Sequence, residues 1–72
     1  MSDSDASWDA GTLGCGELLM ELRFKIAELQ SKQVFKVICR DPGAPEEMPS
    51  WCRLTGHKLL KQEHPSYWIE KK

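Results

Sequence analysis

The clearest regularity in the chain runs from Gly16 to Gln30. Leu19, Leu22, Ile26 and Leu29 recur there at i, i+3, i+7 and i+10, and Leu18 joins them. That spacing is one face of a helix, and it predicts a helix over 16–30 that ends near Ser31. Glu17 and Glu21 lie in its first half, where the helix dipole favours acids. Glu21 and Lys25 form an i,i+4 pair worth ~0.2–0.5 kcal/mol. Val34 to Arg40 follows a different rule. It is rich in β-branched and aromatic residues and closes on Asp41-Pro42-Gly43, so it reads as a strand, and its lack of breakers gives it a central place. Cys39 falls in it and reads as a small buried apolar residue.

The remaining elements are shorter. Residues 1–5 read as a disordered tail, and residues 6–72 as a single domain. Ala6 to Ala10 is a first strand anchored by Trp8, and Gly11 and Gly14 mark the loop after it. Pro45 and Pro49 confine the next stretch to a turn and then a helix start. A short helix over 49–55 places Trp51 and Leu54 at i and i+3, and Gly56 suits its C-terminal cap. Lys58–Glu63 and Tyr67–Glu70 read as two strands joined as a hairpin at His64-Pro65-Ser66. The order is strand, helix, strand, helix, strand, strand. A small sheet covered by two helices is the simplest way to bury these stripes.

Composition narrows the function. The chain has 72 residues, of which 40% are hydrophobic and 29% charged. A chain of this size has room for one small core and none for a deep cofactor cavity, so no cofactor is expected. The formal net charge of −1 lacks the basic excess of a protein that works by neutralising phosphates, so no direct nucleic-acid contact is expected. No run approaches the ~18 apolar residues that span a bilayer. The start of the chain is acidic and serine-rich, without the positive charge and apolar stretch of a secretory leader. The expected compartment is the cytoplasm, with no membrane contact. Three cysteines form no disulfide pattern and would be free thiols there.

Cys15 stands out by position. It lies between Gly14 and Gly16, where a loop turns into the strongest helix. The first N–H groups of a helix lack internal partners and, with the dipole, favour an anion. A thiol placed there has a lowered pKa and more thiolate at neutral pH. The flanking glycines allow another molecule to come close to the sulfur. The plainer reading is a cysteine that only starts a helix and packs inward. Glu17, two positions further on, opposes a thiolate and reads first as a helix-start acid. Cys15, Cys39, Cys52, His57 and His64 contain no Cys-x-x-Cys or His-x-x-x-His pair, so no metal site is expected. His57 follows the predicted cap as a candidate helper of Cys15, or simply as a surface histidine.

A second feature concerns the helix face opposite the leucine stripe, where Gly16, Met20, Phe24 and Ala27 gather. If the stripe is buried, Met20 and Phe24 are exposed beside the helix start. A Met/Phe patch next to a reactive thiol reads as a surface for partner docking. The plainer alternative is that loops or another copy cover it.

Two runs resemble the TusA/SirA-like sulfur-carrier family. The first is Asp9-Ala10-Gly11-Thr12-Leu13-Gly14-Cys15-Gly16-Glu17-Leu18, against a family pattern of a short strand, an aspartate and Gly-Leu-x-Cys-Pro-x-Pro leading a helix. The second is Asp41-Pro42, Met48-Pro49, Trp51 and Gly56-His57-Lys58-Leu59-Leu60, against Asp-Pro, Ile-Pro with an aromatic, and Gly-His before a strand. The resemblance implies a two-layer α/β (α+β) sandwich of βαβαββ order, with a four-stranded mixed sheet and both helices on one face. It implies that Cys15 carries sulfur as a persulfide, within a loop and helix start of Leu13, Gly14, Gly16 and Glu17. The implied donor is a cysteine desulfurase or a rhodanese-like protein. The implied acceptor is a further sulfur-relay protein, in tRNA thiolation, cofactor synthesis or sulfur oxidation. Gly16 and Leu18 stand where the family motif has its two prolines, and Phe24 where it often has a lysine.

Two functions follow. One is a sulfurtransferase-like carrier that relays sulfane sulfur on Cys15. The other is a non-catalytic interaction or regulatory module on the same fold, in which the lost prolines mark lost chemistry. A redox sensor using Cys15 and Cys52 is a third, and it requires the two to be close in space.

Overall fold

The computed structural model describes residues 4–72, except for the side chain of Cys15. The elements are β1 (Ala6–Asp9), α1 (Cys15–Ala27), β2 (Val34–Ile38), α2 (Ala44–Thr55), β3 (Lys58–Glu63) and β4 (Ser66–Glu70). They form a four-stranded mixed sheet in the order β1-β2-β4-β3. β1 pairs parallel with β2, and the other pairings are antiparallel. The expected βαβαββ sandwich is the fold found.

Alternation along the strands decides which face is covered. Phe35, Val37 and Cys39 point one way and join Tyr67 and Ile69 from β4 in the core. Leu18, Leu22 and Ile26 of α1 and Met48, Trp51 and Cys52 of α2 close over them. Leu19 and Leu29 are only partly buried at the edge of this cluster. The Tyr67 phenol needs a partner at such depth and finds it in Nδ1 of His64. Trp68 is also buried but stands outside the cluster. Lys36 and Lys61 flank its ring at 5.2 and 5.0 Å. Their aliphatic stems let the uncovered sheet face carry a tryptophan while the ammonium groups stay in water.

Several boundaries differ from the sequence reading. Asp5, assigned to the tail, is bonded twice to β2: its N–H donates to the Val34 carbonyl and its Oδ2 accepts from the Val34 N–H. The part of that tail at residues 1–3 lies outside the described residues. β1 stops at Asp9, one residue early. β2 stops at Ile38, and the Cys39 N–H turns to the Pro65 carbonyl instead. α1 ends at Ala27 because the Glu28 and Leu29 amides bond three residues back, to Lys25 and Ile26. Lys71 Nζ then takes the Leu29 carbonyl at 2.8 Å and the Ala27 carbonyl at 3.3 Å. β4 begins one residue early, at Ser66.

The largest difference is α2. It begins at Ala44, five residues before the predicted start at Pro49, and Pro49 sits inside it. Proline has no N–H to donate four residues back, which strands the carbonyl of Pro45. Gln62 of β3 supplies the missing donor, with Nε2 at 3.0 Å from that oxygen. Leu54, predicted to share a face with Trp51, is instead 88% exposed. Gly56 caps the helix as expected, at φ 87°. Gln62→Ala is expected to cost ~0.5–1.5 kcal/mol, the net worth of one hydrogen bond. In a Pro49→Ala background the new amide serves the same carbonyl, so the Gln62→Ala cost should shrink. Urea melts of the four proteins in this cycle measure that coupling.

Candidate functional site

The site is built where the two parallel strands end. Each strand stops at one end of the sheet, and each is followed by a helix that runs back over it. The grooves between the helices confirm that α1 and α2 run in the same direction. Leu19 of α1 faces Glu47 and Trp51 of α2, and Arg23 and Ala27 face Trp51 and Thr55. Both helix starts therefore lie at one end of the molecule.

The turn into each helix uses the same device. After β1, the Gly11 N–H donates to Oδ1 of Asp9 at 2.8 Å. After β2, the Gly43 N–H donates to Oδ1 of Asp41 at 2.7 Å. Aspartate bonding its own backbone two residues on is a turn former. In the first case the glycine sits at φ 64°, a conformation that glycine adopts freely. The Leu13 N–H bonds the Ala10 carbonyl, and the Leu18 N–H bonds the Gly14 carbonyl. Cys15 is thereby the first residue of α1, with Gly14 as its N-cap.

Among the described residues, no side chain caps this helix start. The N–H groups of the first turn are left to water or to a bound anion. A Cβ built on Gly14 or Gly16 would meet nothing within 4 Å, so both sides of Cys15 are open to an approaching molecule. Leu13 is partly buried against the core and anchors the loop. Glu17 is exposed in the first turn of the helix. The side chain of Cys15, on which the sulfur chemistry expected from the sequence falls, lies outside the described residues.

Comparison with known proteins decides the family. The family described as "Sulfurtransferase TusA" matches residues 8–71. The chain belongs to that family. It is similar to the "Sulfur carrier protein TusA" of Pseudomonas entomophila (strain L48), with 40% identity over 72 aligned positions that cover 94% of this chain and 90% of the relative. The proteins of the same name from Pseudomonas putida (strain W619) and Pseudomonas paraeruginosa (strain DSM 24068 / PA7) are each 38% identical over 94% of this chain, which covers 90% and 91% of their lengths.

Against that family background, the other predicted residues fall in different places. Met20 and Phe24 are 64% and 65% exposed on the outer face of α1. His57 is not at the site. Its ring lies 5.5 Å from that of Trp51, and its Nδ1 accepts the Lys72 N–H at 3.0 Å. It lines the groove beside Ile26 and Ala27, eleven or more residues along α1 from Cys15, which is roughly 16 Å at 1.5 Å per residue. Desolvation, then Lys71 and Lys72, lowers its pKa. The structure thus gives it a place at the far end of the helix pair, away from the helix start that holds Cys15.

Cys39 and Cys52 are buried free thiols. Burial pushes the Cys52 thiol up to about 11, so it offers almost no thiolate at neutral pH. A redox pair of Cys15 with Cys52 loses its second nucleophile. Among the described residues, no group of three His, Cys, Asp or Glu side chains is placed to hold a metal ion.

Sequence reasoning missed Arg40. Its Nη1 donates to Oδ1 of Asp9 at 2.6 Å, and its Nη2 to Oδ2 at 3.4 Å. The pair, both half-exposed, links the end of β1 to the segment after β2. The bond from Arg40, then the Gly11 N–H, holds the Asp9 carboxyl below its ordinary pKa. The two Asp-x-Gly runs were a legible signal for the turns. Nothing local signals a partner 31 residues away.

Proposed function

We propose that this chain carries sulfane sulfur on Cys15 and relays it between two proteins. The observation that carries the reading is Cys15 as the first residue of α1, between two glycines with open space around them, in a chain of the TusA family. A thiolate at that place attacks the outer sulfur of a donor persulfide. The donor S–S bond breaks, the donor cysteine leaves as thiolate, and Cys15 becomes a persulfide. An acceptor thiolate then attacks the outer sulfur, and the Cys15 thiolate leaves. No oxidant is consumed, and the uncapped helix start stabilises the anionic sulfur in both states.

The donor in this reading is a cysteine desulfurase or a rhodanese-like protein, and the acceptor is another sulfur-relay protein. The exposed Met20 and Phe24, one and two turns beyond Cys15, serve as the docking surface. The work is that of a cytoplasmic protein, and no helix among the described residues is long and apolar enough to cross a membrane. The second reading, a non-catalytic interaction module, also draws on the Met20/Phe24 patch.

Intact-mass spectrometry separates the two readings. After incubation with a cysteine desulfurase and cysteine, the protein is expected to gain the mass of one sulfur atom and to lose it on reduction. No gain, under conditions that charge a known carrier, leaves the interaction module.

A further inference from the structure

The loop that leads to Cys15 has few constraints of its own. It carries glycine at positions 11 and 14, and Gly16 follows Cys15 in the first turn of α1; glycine loses more freedom on ordering than any other residue. An added Cβ would meet nothing within 4 Å at any of the three, so no neighbour wedges the loop in place. No side chain among the described residues caps the helix. What remains is the packing of Leu13 against the core and a short set of hydrogen bonds; among the described residues, one of these uses a side chain, the Gly11 N–H donating to Oδ1 of Asp9. That same oxygen receives Nη1 of Arg40.

Arg40 is well placed for this. Asp9 pairs in register with Ile38, and Arg40 follows two residues later. Side chains two residues apart project from the same face of an extended chain. Arg40 also lines a cleft of about 250 Å³ with Thr12 and Leu13 from the Cys15 loop and Asp41 and Pro42 from the loop before α2. Arg40, itself in the second strand-to-helix connection, thus reaches the aspartate that opens the first.

We propose that Arg40 is a positioning residue: by fixing the Asp9 carboxylate it holds the 11–14 loop in the shape that presents Cys15. Its functional half rests on the sulfur-carrying reading of Cys15. Arg40 touches no reacting atom. It acts through Asp9, and Asp9 acts through the Gly11 amide.

The test uses the full chain and four proteins: wild type, Arg40→Ala, Arg40→Lys and, as a surface-charge control, Lys61→Ala. NMR reports hydrogen exchange of the Gly11 amide and the titration of the Asp9 carboxyl. The rates of Cys15 alkylation by iodoacetamide and of sulfur loading from a persulfide donor report presentation of the thiol. Arg40→Ala should speed Gly11 exchange and shift the Asp9 titration to higher pH. It should change both Cys15 rates by up to about fivefold, the reach of one exposed charge pair. Arg40→Lys should lie between, because a lysine restores charge without the two-pronged geometry. Lys61→Ala should match wild type.

If Arg40→Ala leaves Gly11 exchange and the Asp9 titration at wild-type values, Arg40 does not hold the loop and the proposal is wrong. If the loop loosens while both Cys15 rates stay unchanged, the loop does not govern the thiol, and the proposal is equally wrong. A wild type that is alkylated yet never loads sulfur instead sinks the carrier reading. The Gly11 and alkylation data would still judge Arg40.

Discussion

Cys15→Ser is expected to abolish sulfur loading, and Cys39→Ala and Cys52→Ala are expected to keep it. The three thiols differ in access and in charge state. Cys39 is a core residue on the covered face of the sheet, and Cys52 is buried between α2 and the sheet. With its thiol pushed up to about 11, Cys52 presents roughly one thiolate in ten thousand molecules at pH 7. Cys15 begins α1, where the unpaired N–H groups favour the anion. A serine hydroxyl in its place titrates far outside the physiological range and cannot form a persulfide. Alanine is the right change at the two buried sites. It leaves a small void, whereas serine would bury an unsatisfied hydroxyl at ~1–3 kcal/mol. Intact-mass spectrometry of the three variants reads the result directly. Loading that survives in Cys15→Ser and vanishes in either alanine variant would move the chemistry into the core and overturn the assignment.

Leu22→Ala is expected to remove most of the stability of the domain. Leu22 lies at the centre of the α1 stripe and is 0% exposed. Deleting a buried leucine side chain to alanine costs ~2–5 kcal/mol, the lost transfer energy plus the cavity that remains. A native domain of this length is worth about 4–11 kcal/mol in total, at 0.05–0.15 kcal/mol per residue. The upper part of the first range meets the lower part of the second, so a substantial unfolded fraction at 25 °C is expected. Urea melts followed by tryptophan fluorescence measure the loss. Met20→Ala is the natural comparison. That side chain is 64% exposed, and its removal should change stability by less than ~0.5 kcal/mol. Equal losses at the two positions would mean that the stripe has been assigned to the wrong face of the helix.

The sequence carried the parts of the fold that local rules determine. The α1 stripe follows from the 3.6-residue period, and Leu18, Leu22 and Ile26 are buried as that period requires. Gly56 at a helix end and a hairpin at residues 64–66 follow from turn chemistry. The failures share a cause, which is that a distant residue decides the local outcome. Two prolines four residues apart read as a late helix start because the residue that repairs the break, Gln62, lies on a strand, β3. Leu54 shares a helix face with Trp51 by spacing alone. The core is already filled by Met48, Trp51 and Cys52, and Leu54 is left at the rim. The position of Cys15 was legible from its glycines. The Arg40–Asp9 contact that braces its loop was not. His57 follows a helix cap in the sequence, and only the parallel run of the two helices shows that it lies at their far end.

The strand order has a consequence for how the protein comes into being. β4 is the last element along the chain, yet it is an inner strand, bonded to β2 on one side and β3 on the other. Lys71, directly after it, also closes the end of α1 through the Leu29 and Ala27 carbonyls. During synthesis, β1, α1, β2 and α2 emerge first and cannot complete the sheet or its core. Tyr67 and Ile69 arrive from β4 only at the end. Assembly therefore waits for the final strand and then proceeds as one cooperative event, with much of it in contacts distant along the chain. A nascent chain that lacks β4 holds the start of α1 on an unfinished scaffold, and the helix pair reaches its final arrangement only once β4 is inserted between β2 and β3.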